Sequence, residues 1–288
     1  RKFKTAFLFD MRGFWADERV DGNIWNLKNP IYKWVYKYFK RKERAFFKTA
    51  DHIVSLTNEG RKEILSWSGF QDLTDKISVI PCCVDIMKFD KKRVGIEMMK
   101  SKKSALGIKD SQFILGYVGS IGTWYMLEEM LSFYKRSSKS LADPVFLFVT
   151  KENENDIYLL SDNMNIPRNE IIVTSCYHDE MPLYMSLFSC SVFFIKPVYS
   201  KKASSPTKQG ELMAMGIPII CNDKVGDTAD IVRKYNSGLV ISSEIINESV
   251  ISDYSFSETR SIDGAHEYFG LDKGVNTYEK IYKKIVER

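Results

Sequence analysis

The sequence predicts an α/β protein made of two consecutive doubly wound domains, each with a parallel sheet. Short apolar runs of strand length alternate with helical patterns along the chain, which is the order of parallel βαβ units. The alternation stops at a polar, lysine-rich stretch from Asp90 to Ser104, which we interpret as an interdomain linker, and then starts again. The 288 residues, 44% hydrophobic and 27% charged, suit two domains of about 150 residues or one large domain, and exclude a disordered or collagen-like chain.

The first domain is predicted to hold only a few elements. Pro30 fits the first turn of a long helix, because proline is tolerated there but not in a helix interior. A doubly wound domain of usual size would have about 100 more residues, so we expect residues 1–101 to be the C-terminal part of an N-terminally truncated domain and this chain to be inactive or nearly so. The alternative is that the chain starts here and the first domain is unusually small. The predicted elements are a strand at 5–10, a loop at 10–18, a helix at 30–51, a strand at 51–57, a helix at 58–67 and a strand at 76–81.

The second domain is predicted to span residues 102–270. A C-terminal amphipathic helix within 271–288 is expected to pack back toward the first domain. Strands are predicted at 113–119, 144–150, 170–175, 190–196, 217–221 and 237–242, and helices at 126–139, 154–164, 180–188, 208–215, 226–235 and 273–286.

Composition excludes several classes of protein. The net charge of +5 is too small to indicate a nucleic-acid partner, and we expect none. The five cysteines include no C-x-x-C pair, so neither a disulfide framework nor a zinc site is predicted, and a reducing compartment is the simpler interpretation. No apolar run approaches the roughly 20 residues that a membrane span needs.

A glycine-containing turn follows the first predicted strand of the second domain. It contains Gly119, Ser120, Gly122 and Thr123, and a helix comes after it. Glycines let a phosphate approach the backbone closely, and the free N–H groups at a helix start supply donors and a favourable dipole. The turn lacks a full G-x-G-x-x-G motif and a Walker lysine, so a simple βα turn that needs small residues explains it equally well.

A second loop, SSPTK, leads into a predicted helix. Lys208 and Glu211 are three residues apart and therefore share one face of its first turn. A cation beside uncapped N–H groups suits a diphosphate, and the carboxylate one turn later suits the hydroxyls of a sugar. Alternatively, Thr207 only caps the helix, and Glu211 only interacts favourably with the positive end of the helix dipole.

Three segments resemble the retaining nucleotide-sugar glycosyltransferases of the GT-B fold, family 4, also called glycosyl transferases group 1. GELMAMGIPII resembles their E-A-M-A-x-G-x-P-V-V segment, and KISVIPCCVDIMKF resembles I-x-V-I-P-x-G-V-D-x-x-x-F. ERAFFKTADHIVSLTNEGRKEI resembles a third segment, built around A-D-x-I, and the SPTK loop resembles that of the S-P-T-K-x-x-E subgroup. The resemblance implies two Rossmann-like domains facing a cleft, with the donor bound by the C-terminal domain and the acceptor by the N-terminal one.

The resemblance also implies roles for single residues. Glu211 falls on the glutamate that holds the donor ribose, and Tyr177 and His178 follow the strand near which the base is held. His178 is equally well explained as a loop histidine without a role. The earlier glutamate of the family, eight residues before Glu211, is replaced by Ala203. The full predicted donor-site set is Gly119, Ser120, Gly122, Thr123, Lys151, Tyr177, His178, Ser205, Thr207, Lys208 and Glu211, in which Lys208 and Lys151 supply positive charge that the family carries elsewhere.

The acceptor side is predicted in the loop after the first strand. Arg12, before Gly13, takes the place of the family's cleft histidine. Asp10, Arg12 and Lys208 are the predicted catalytic groups, and Arg12, Asp17 and Glu18 are the predicted acceptor-side groups. An Asp–Arg pair that only fixes the loop explains the same residues.

The helix at 31–48 interleaves lysines and arginines with aromatic residues. Such a helix rests on an anionic membrane surface, or else presents a solvated basic face beside a core face. The first interpretation predicts a cytoplasmic protein that is peripheral on the inner face of the membrane.

The function predicted from the sequence is transfer of a sugar from a nucleotide diphosphate sugar to a glycan or lipid-linked acceptor, in surface polysaccharide biosynthesis. No metal and no cofactor are expected, since the nucleotide sugar is itself the substrate. A GT-B nucleotide-sugar epimerase and a non-catalytic nucleotide- or glycan-binding relative are the alternatives.

Overall fold

In the computed structural model, which describes residues 5–251 and 254–287, the chain forms two parallel β-sheets. The first sheet has the order β1-β2-β3, and its strands are β1 (Leu8–Met11), β2 (His52–Ser55) and β3 (Ile77–Val79). Leu8 lies opposite His52, and Ile53 lies opposite Ile77. The small core beneath this sheet includes Phe14 and Phe47, both fully buried.

The second sheet has six strands and a point at which the strand order reverses. Its order is β6-β5-β4-β7-β8-β9, so the chain winds one way from β4 and the other way from β7. In open parallel sheets, ligands bind in the crevice at the carboxyl ends of the strands at this reversal. The strands are β4 (Ile114–Val118), β5 (Val145–Val149), β6 (Ile171–Thr174), β7 (Cys190–Phe193), β8 (Ile219–Asn222) and β9 (Gly238–Ile241).

Helices cover both sheets, and none of those in the described residues is long and apolar enough to cross a membrane. A π-helical turn, Ala265–Phe269, follows α10. The helices are α1 (Trp15–Asp21), α2 (Pro30–Thr49), α3 (Asn58–Ser66), α4 (Ile96–Ala105), α5 (Leu127–Ser137), α6 (Glu154–Asn163), α7 (Met181–Met185), α8 (Thr207–Ala214), α9 (Thr228–Tyr235), α10 (Glu258–Gly264) and α11 (Leu271–Val286).

Two predicted irregular segments contain helices. The predicted loop at 10–18 is helical from residue 15 onward, because residues 15–21 form α1. Asp17 and Glu18 lie in its first turn, where carboxylates interact favourably with the helix dipole. The predicted linker contains α4, because its Met, Lys, Ser and Ala side chains are compatible with a helix although none of them is buried. The remaining predicted strands and helices are present, with ends that differ by a few residues.

The last helix contacts the first sheet. Ile281 and Ile285 of α11 pack against Val54 of β2 and against Ile80, just after β3. The hydroxyl of Tyr278 also donates to Asp10 at 3.1 Å. The chain therefore passes from the half of the molecule that contains the first sheet to the half that contains the second sheet, and then returns to the first half.

A buried carboxylate joins the two halves at the start of α3. Asp227, just before α9, accepts hydrogen bonds from the backbone N–H groups of Asn58 (2.7 Å) and Glu59 (3.0 Å). The hydroxyl of Tyr268 donates to the same carboxylate at 2.7 Å. The next N–H of α3, that of Gly60, is accepted by the Thr57 side chain. Asp227 therefore caps a helix of the other half.

Candidate functional site

A turn with a left-handed glycine opens the crevice after β4. Gly119 has a φ of +107°, a conformation that non-glycine residues rarely adopt. A Cβ at this position would lie 3.2 Å from the Nζ atom of Lys208. The absence of a side chain thus lets the lysine of α8 approach the turn, and the two predicted phosphate-binding segments meet here.

Lys208 is a buried cation beside the start of α8. Its side chain is 8% exposed, and its Nζ atom has no hydrogen-bond partner among the described residues. Burial lowers the pKa of Lys208 to about 7, and the neighbouring Glu211 carboxylate opposes that shift. The cap of α8 is Pro206, without a side-chain hydrogen bond, and Thr207 is the first helical residue. Thr207 is therefore not the cap that the alternative interpretation required.

Glu211 lies one turn further along α8 and is also 8% exposed. Burial raises the pKa of its carboxyl, while His178 and Lys208 lower it. Its Oε1 atom lies 3.2 Å from His178 Nε2. This places a carboxylate beside the buried cation, as the helical spacing predicts.

His178 is held by a lysine that the sequence analysis did not identify. Lys88 Nζ lies 2.8 Å from His178 Nδ1 and also pairs with Asp179. Because an ammonium group only donates, Nδ1 is the acceptor, and the ring hydrogen is on Nε2, which donates to Glu211. Lys88 lies within KISVIPCCVDIMKF, one of the segments that resemble the family, and this motif is the sequence signal that could have identified it.

A cavity of about 320 Å³ opens beside the glycine turn, and its lining includes Gly119, Ser120, Lys151 and His178. The Ser120 hydroxyl donates to Glu152 at 2.6 Å, and the Gly122 N–H donates to Ser120 Oγ at 3.2 Å. A carboxylate repels phosphate, so Glu152 suits the hydroxyl-bearing part of a ligand and leaves the anionic part to Lys208.

The other predicted donor-site residues are more scattered. Tyr177 is largely exposed, with Lys151 Nζ 5.7 Å from the centre of its ring. Thr123 is exposed in the loop before α5. Ser205 accepts a hydrogen bond from the backbone N–H of Cys82 at 3.1 Å and so joins the loop before α8 to the first half.

The predicted acceptor-side residues have separate surroundings. Asp10 and Arg12 form a 3.8 Å pair, in which the arginine side chain is 66% exposed. Both line a second cavity of about 320 Å³, together with Glu18 and aromatic side chains of α1 and α2. Asp17 is instead buried against α2, where it accepts from Tyr36 at 2.8 Å and from Lys40 at 2.7 Å.

Glu18 belongs both to this cavity and to the contact between the halves. Its carboxylate accepts a hydrogen bond from Lys201 at 2.9 Å, and Lys201 also lies over the ring of Trp124 at 3.8 Å. Asp21 accepts from the backbone of Ser200. The loop that leads to α8 is therefore attached to α1.

The comparisons with known proteins agree with this architecture. A solved glycosyltransferase from Rickettsia africae is 14% identical, with 100% of this chain and 72% of that chain covered and a TM-score of 0.70. Sucrose-phosphate synthase from Thermosynechococcus elongatus is 14% identical, with 99% and 69% covered and a TM-score of 0.71. Anabaena HepE, solved in complex with UDP and glucose, is 12% identical, with 97% and 72% covered and a TM-score of 0.66.

These likenesses confirm the predicted fold class, mixed α/β with parallel sheets and GT-B neighbours. A search of curated proteins gave no match. The family model described as "Glycosyl transferases group 1" matches residues 98–253, more than half of the chain. This chain therefore belongs to the glycosyl transferases group 1 family.

Proposed function

We propose that the protein transfers a sugar from a nucleotide diphosphate sugar to a hydroxyl of a glycan or lipid-linked acceptor, with retention of configuration. The observation that carries the proposal is the buried Lys208 ammonium, without a hydrogen-bond partner in the described parts of the chain, beside the Gly119 turn and the uncapped start of α8. An anion is the ligand that satisfies all three groups together. Glu211, one turn along, receives the ribose hydroxyls.

The chemistry follows from where charge develops. As the bond between the sugar and the diphosphate breaks, the leaving oxygen gains negative charge. Lys208 and the N–H groups at the start of α8 stabilise that charge in a water-poor crevice, where electrostatic interactions are strong. The described residues contain no group of three or more His, Cys, Asp or Glu side chains arranged for a metal ion. We propose that the protein's own donors neutralise the diphosphate, with neither metal nor cofactor.

The donor that we propose to test first is a uridine diphosphate sugar. Anabaena HepE, which shares the fold, was solved in complexes with UDP and with UDP-glucose. We propose that the nucleoside occupies the cavity between the Gly119 turn and His178. We propose that Glu152, which accepts a hydrogen bond from Ser120, also accepts one from a hydroxyl group of the ligand.

The acceptor is proposed to lie against the cavity of Arg12 and Glu18, and a membrane surface is proposed to lie against α2. Ile31 and Trp34 of α2 are 69% and 67% exposed, and Lys33 and Lys37 are exposed between and after them. Apolar tips among cations suit the headgroup region of anionic lipids. These exposed side chains support attachment to a membrane surface, and we propose a cytoplasmic, peripheral enzyme of surface polysaccharide biosynthesis.

The donor site is tested with Glu211→Ala. A buried carboxylate that accepts hydroxyl hydrogen bonds contributes about 1.5–3 kcal/mol, which is roughly 10- to 150-fold in affinity. Calorimetric titration with UDP should show a loss of that size, with an unchanged melting temperature. Glu128→Ala, an exposed acidic position on α5, is the matched control. An unchanged dissociation constant in Glu211→Ala would mean that Glu211 only stabilises the start of the helix and does not bind the donor.

An activity assay distinguishes the three candidate functions, which are sugar transfer, epimerisation and binding without catalysis. A transferase releases free UDP from UDP-glucose only when an acceptor is added. An epimerase converts the nucleotide sugar without any acceptor, and a non-catalytic relative binds it without turnover. A panel of nucleotide sugars in a thermal-shift assay identifies the donor beforehand, because a ligand that binds only the folded state raises its stability.

A further inference from the structure

We propose that Tyr117 and Tyr125 are positioning residues that hold the ammonium group of Lys208 ready for the diphosphate, and that donor binding above neutral pH is coupled to proton uptake by this lysine. The inference rests on the proposed function and adds to it a cradle and a pH dependence for the same site.

The cradle consists of two aromatic faces. Lys208 Nζ lies 3.7 Å from the ring centre of Tyr125 and 4.2 Å from that of Tyr117. Tyr117 belongs to β4 and is fully buried, and Tyr125 lies in the loop before α5. The ring of Phe193, at the end of β7, lies 5.9 Å away. Ring faces attract a cation without occupying its N–H donors, so the ammonium stays available to a ligand.

The cradle is also connected to the glycine turn. The hydroxyl of Tyr117 donates a hydrogen bond to the backbone carbonyl of Ser120. One side chain therefore fixes the turn through its hydroxyl and faces the lysine through its ring. The two groups that are to meet the diphosphate, the turn and the ammonium, are held in a fixed relation by Tyr117.

The charged neighbours of Lys208 define the expected pH dependence. Glu211, on its own helix, favours the ammonium, but burial dominates and lowers the pKa of Lys208 to about 7. Burial raises the pKa of both tyrosines, so their hydroxyls are neutral. Two further titratable groups on other segments, Glu152 near Tyr117 and Cys82 near Tyr125, also raise the pKa of these tyrosines. His178 and Lys88 face Glu211 rather than the lysine.

The sign of the effect follows from these positions. Well below pH 7 the ammonium is already present in the free protein, and the diphosphate binds without proton uptake. Above pH 7 the free lysine is neutral, and binding of the anion must first restore its proton. Affinity is therefore expected to fall as the pH rises, by about tenfold between pH 6 and pH 8. Proton uptake should therefore rise through neutral pH toward one proton per bound donor.

The experiment is calorimetric titration with UDP-glucose from pH 6 to pH 8.5. Buffers of different ionisation enthalpy are compared at each pH, which gives the number of protons taken up. The diphosphate of UDP-glucose is a diester, so its own charge does not change over this range. Three variants are measured in parallel, Tyr125→Phe, Tyr125→Leu and Lys208→Met, each with a melting curve that reports its folding.

Tyr125→Phe keeps the ring face and should keep the wild-type pH profile. Tyr125→Leu removes the face, so the loss of affinity should begin roughly 0.5–1.5 pH units lower. Lys208→Met should bind UDP-glucose weakly at every pH and take up no proton.

Absence of proton uptake by the wild-type protein at pH 8 would overturn the proposal. A wild-type pH profile in Tyr125→Leu would overturn the role of the ring, and undiminished proton uptake in Lys208→Met would assign the proton to another group. Failure of UDP-glucose to bind the wild-type protein even at pH 6 would overturn the proposed uridine donor and this inference with it.

Discussion

The contact between the two halves makes a quantitative prediction for Asp227. Its carboxylate accepts the first two N–H groups of α3, which have no partner within that helix. In Asp227→Ala these donors lose a charged acceptor. Hydrogen bonds to a charged group contribute about 1.5–3 kcal/mol each. At the lower end of this range, two of them amount to about 3 kcal/mol, before the bond from Tyr268 is counted.

A loss of this size is easily measured. For chains of more than about 150 residues, each kcal/mol lowers the melting temperature by roughly 2–4 °C, so Asp227→Ala should melt about 6–12 °C below wild type. Asp227→Asn keeps one carbonyl acceptor and should lose about half as much. Scanning calorimetry is the assay, because it also shows whether one transition becomes two as the halves uncouple.

Asp230→Ala is the matched control for this experiment. Asp230 lies in the first turn of α9, but its side chain is 71% exposed and pairs with Arg233 at 3.6 Å. An exposed pair of this kind contributes little, so the melting temperature should change by at most about 2 °C. Equal melting temperatures for Asp227→Ala and Asp230→Ala would refute the idea that this carboxylate joins the halves.

Three further predictions concern the ligand and the membrane. UDP should bind with the same dissociation constant, within about twofold, in excess EDTA and in excess Mg²⁺, and loss of binding on chelation would contradict the metal-free proposal. His178→Ala should weaken UDP binding about 2- to 12-fold, because it removes a hydrogen-bond donor to Glu211. His178→Gln, which supplies an N–H, should restore most of the affinity, and equal losses in both variants would argue against that donor role. Lys37→Gln should lower the partition coefficient onto vesicles of anionic lipid about fivefold at low salt, since each surface cation contributes about 1 kcal/mol. The control Lys62→Gln, on the exposed face of α3, should leave the partition coefficient unchanged. Equal partition of both variants would exclude α2 as the contact surface.

Local patterns predicted the elements well where one physical signal dominated. The strands of the second sheet read as short apolar runs because both of their faces are covered, and β4 and β5 are buried throughout. Lys208 and Glu211 were placed together because helical spacing alone fixes their relation. α4 was missed because its charged residues also suit a linker, and no buried residue marks a helical face.

The contacts that the sequence did not predict join residues that are distant along the chain. Lys88 and His178 are 90 positions apart, and Asn58 and Asp227 are 169 apart. No local periodicity relates such pairs, since their meeting depends on how the two sheets face each other. The cradle around Lys208 has the same character, because its rings come from β4, from the following loop and from β7.

The return of α11 to the first sheet has a consequence for the order of folding during synthesis. The strands β1 to β3 leave the ribosome before the second sheet, yet Ile281 and Ile285, which cover Val54 and Ile80, leave it only after the entire second sheet. Part of the apolar surface of the first sheet therefore stays open to water until α11 has been synthesised, and nascent chains held at that stage are natural clients for a chaperone.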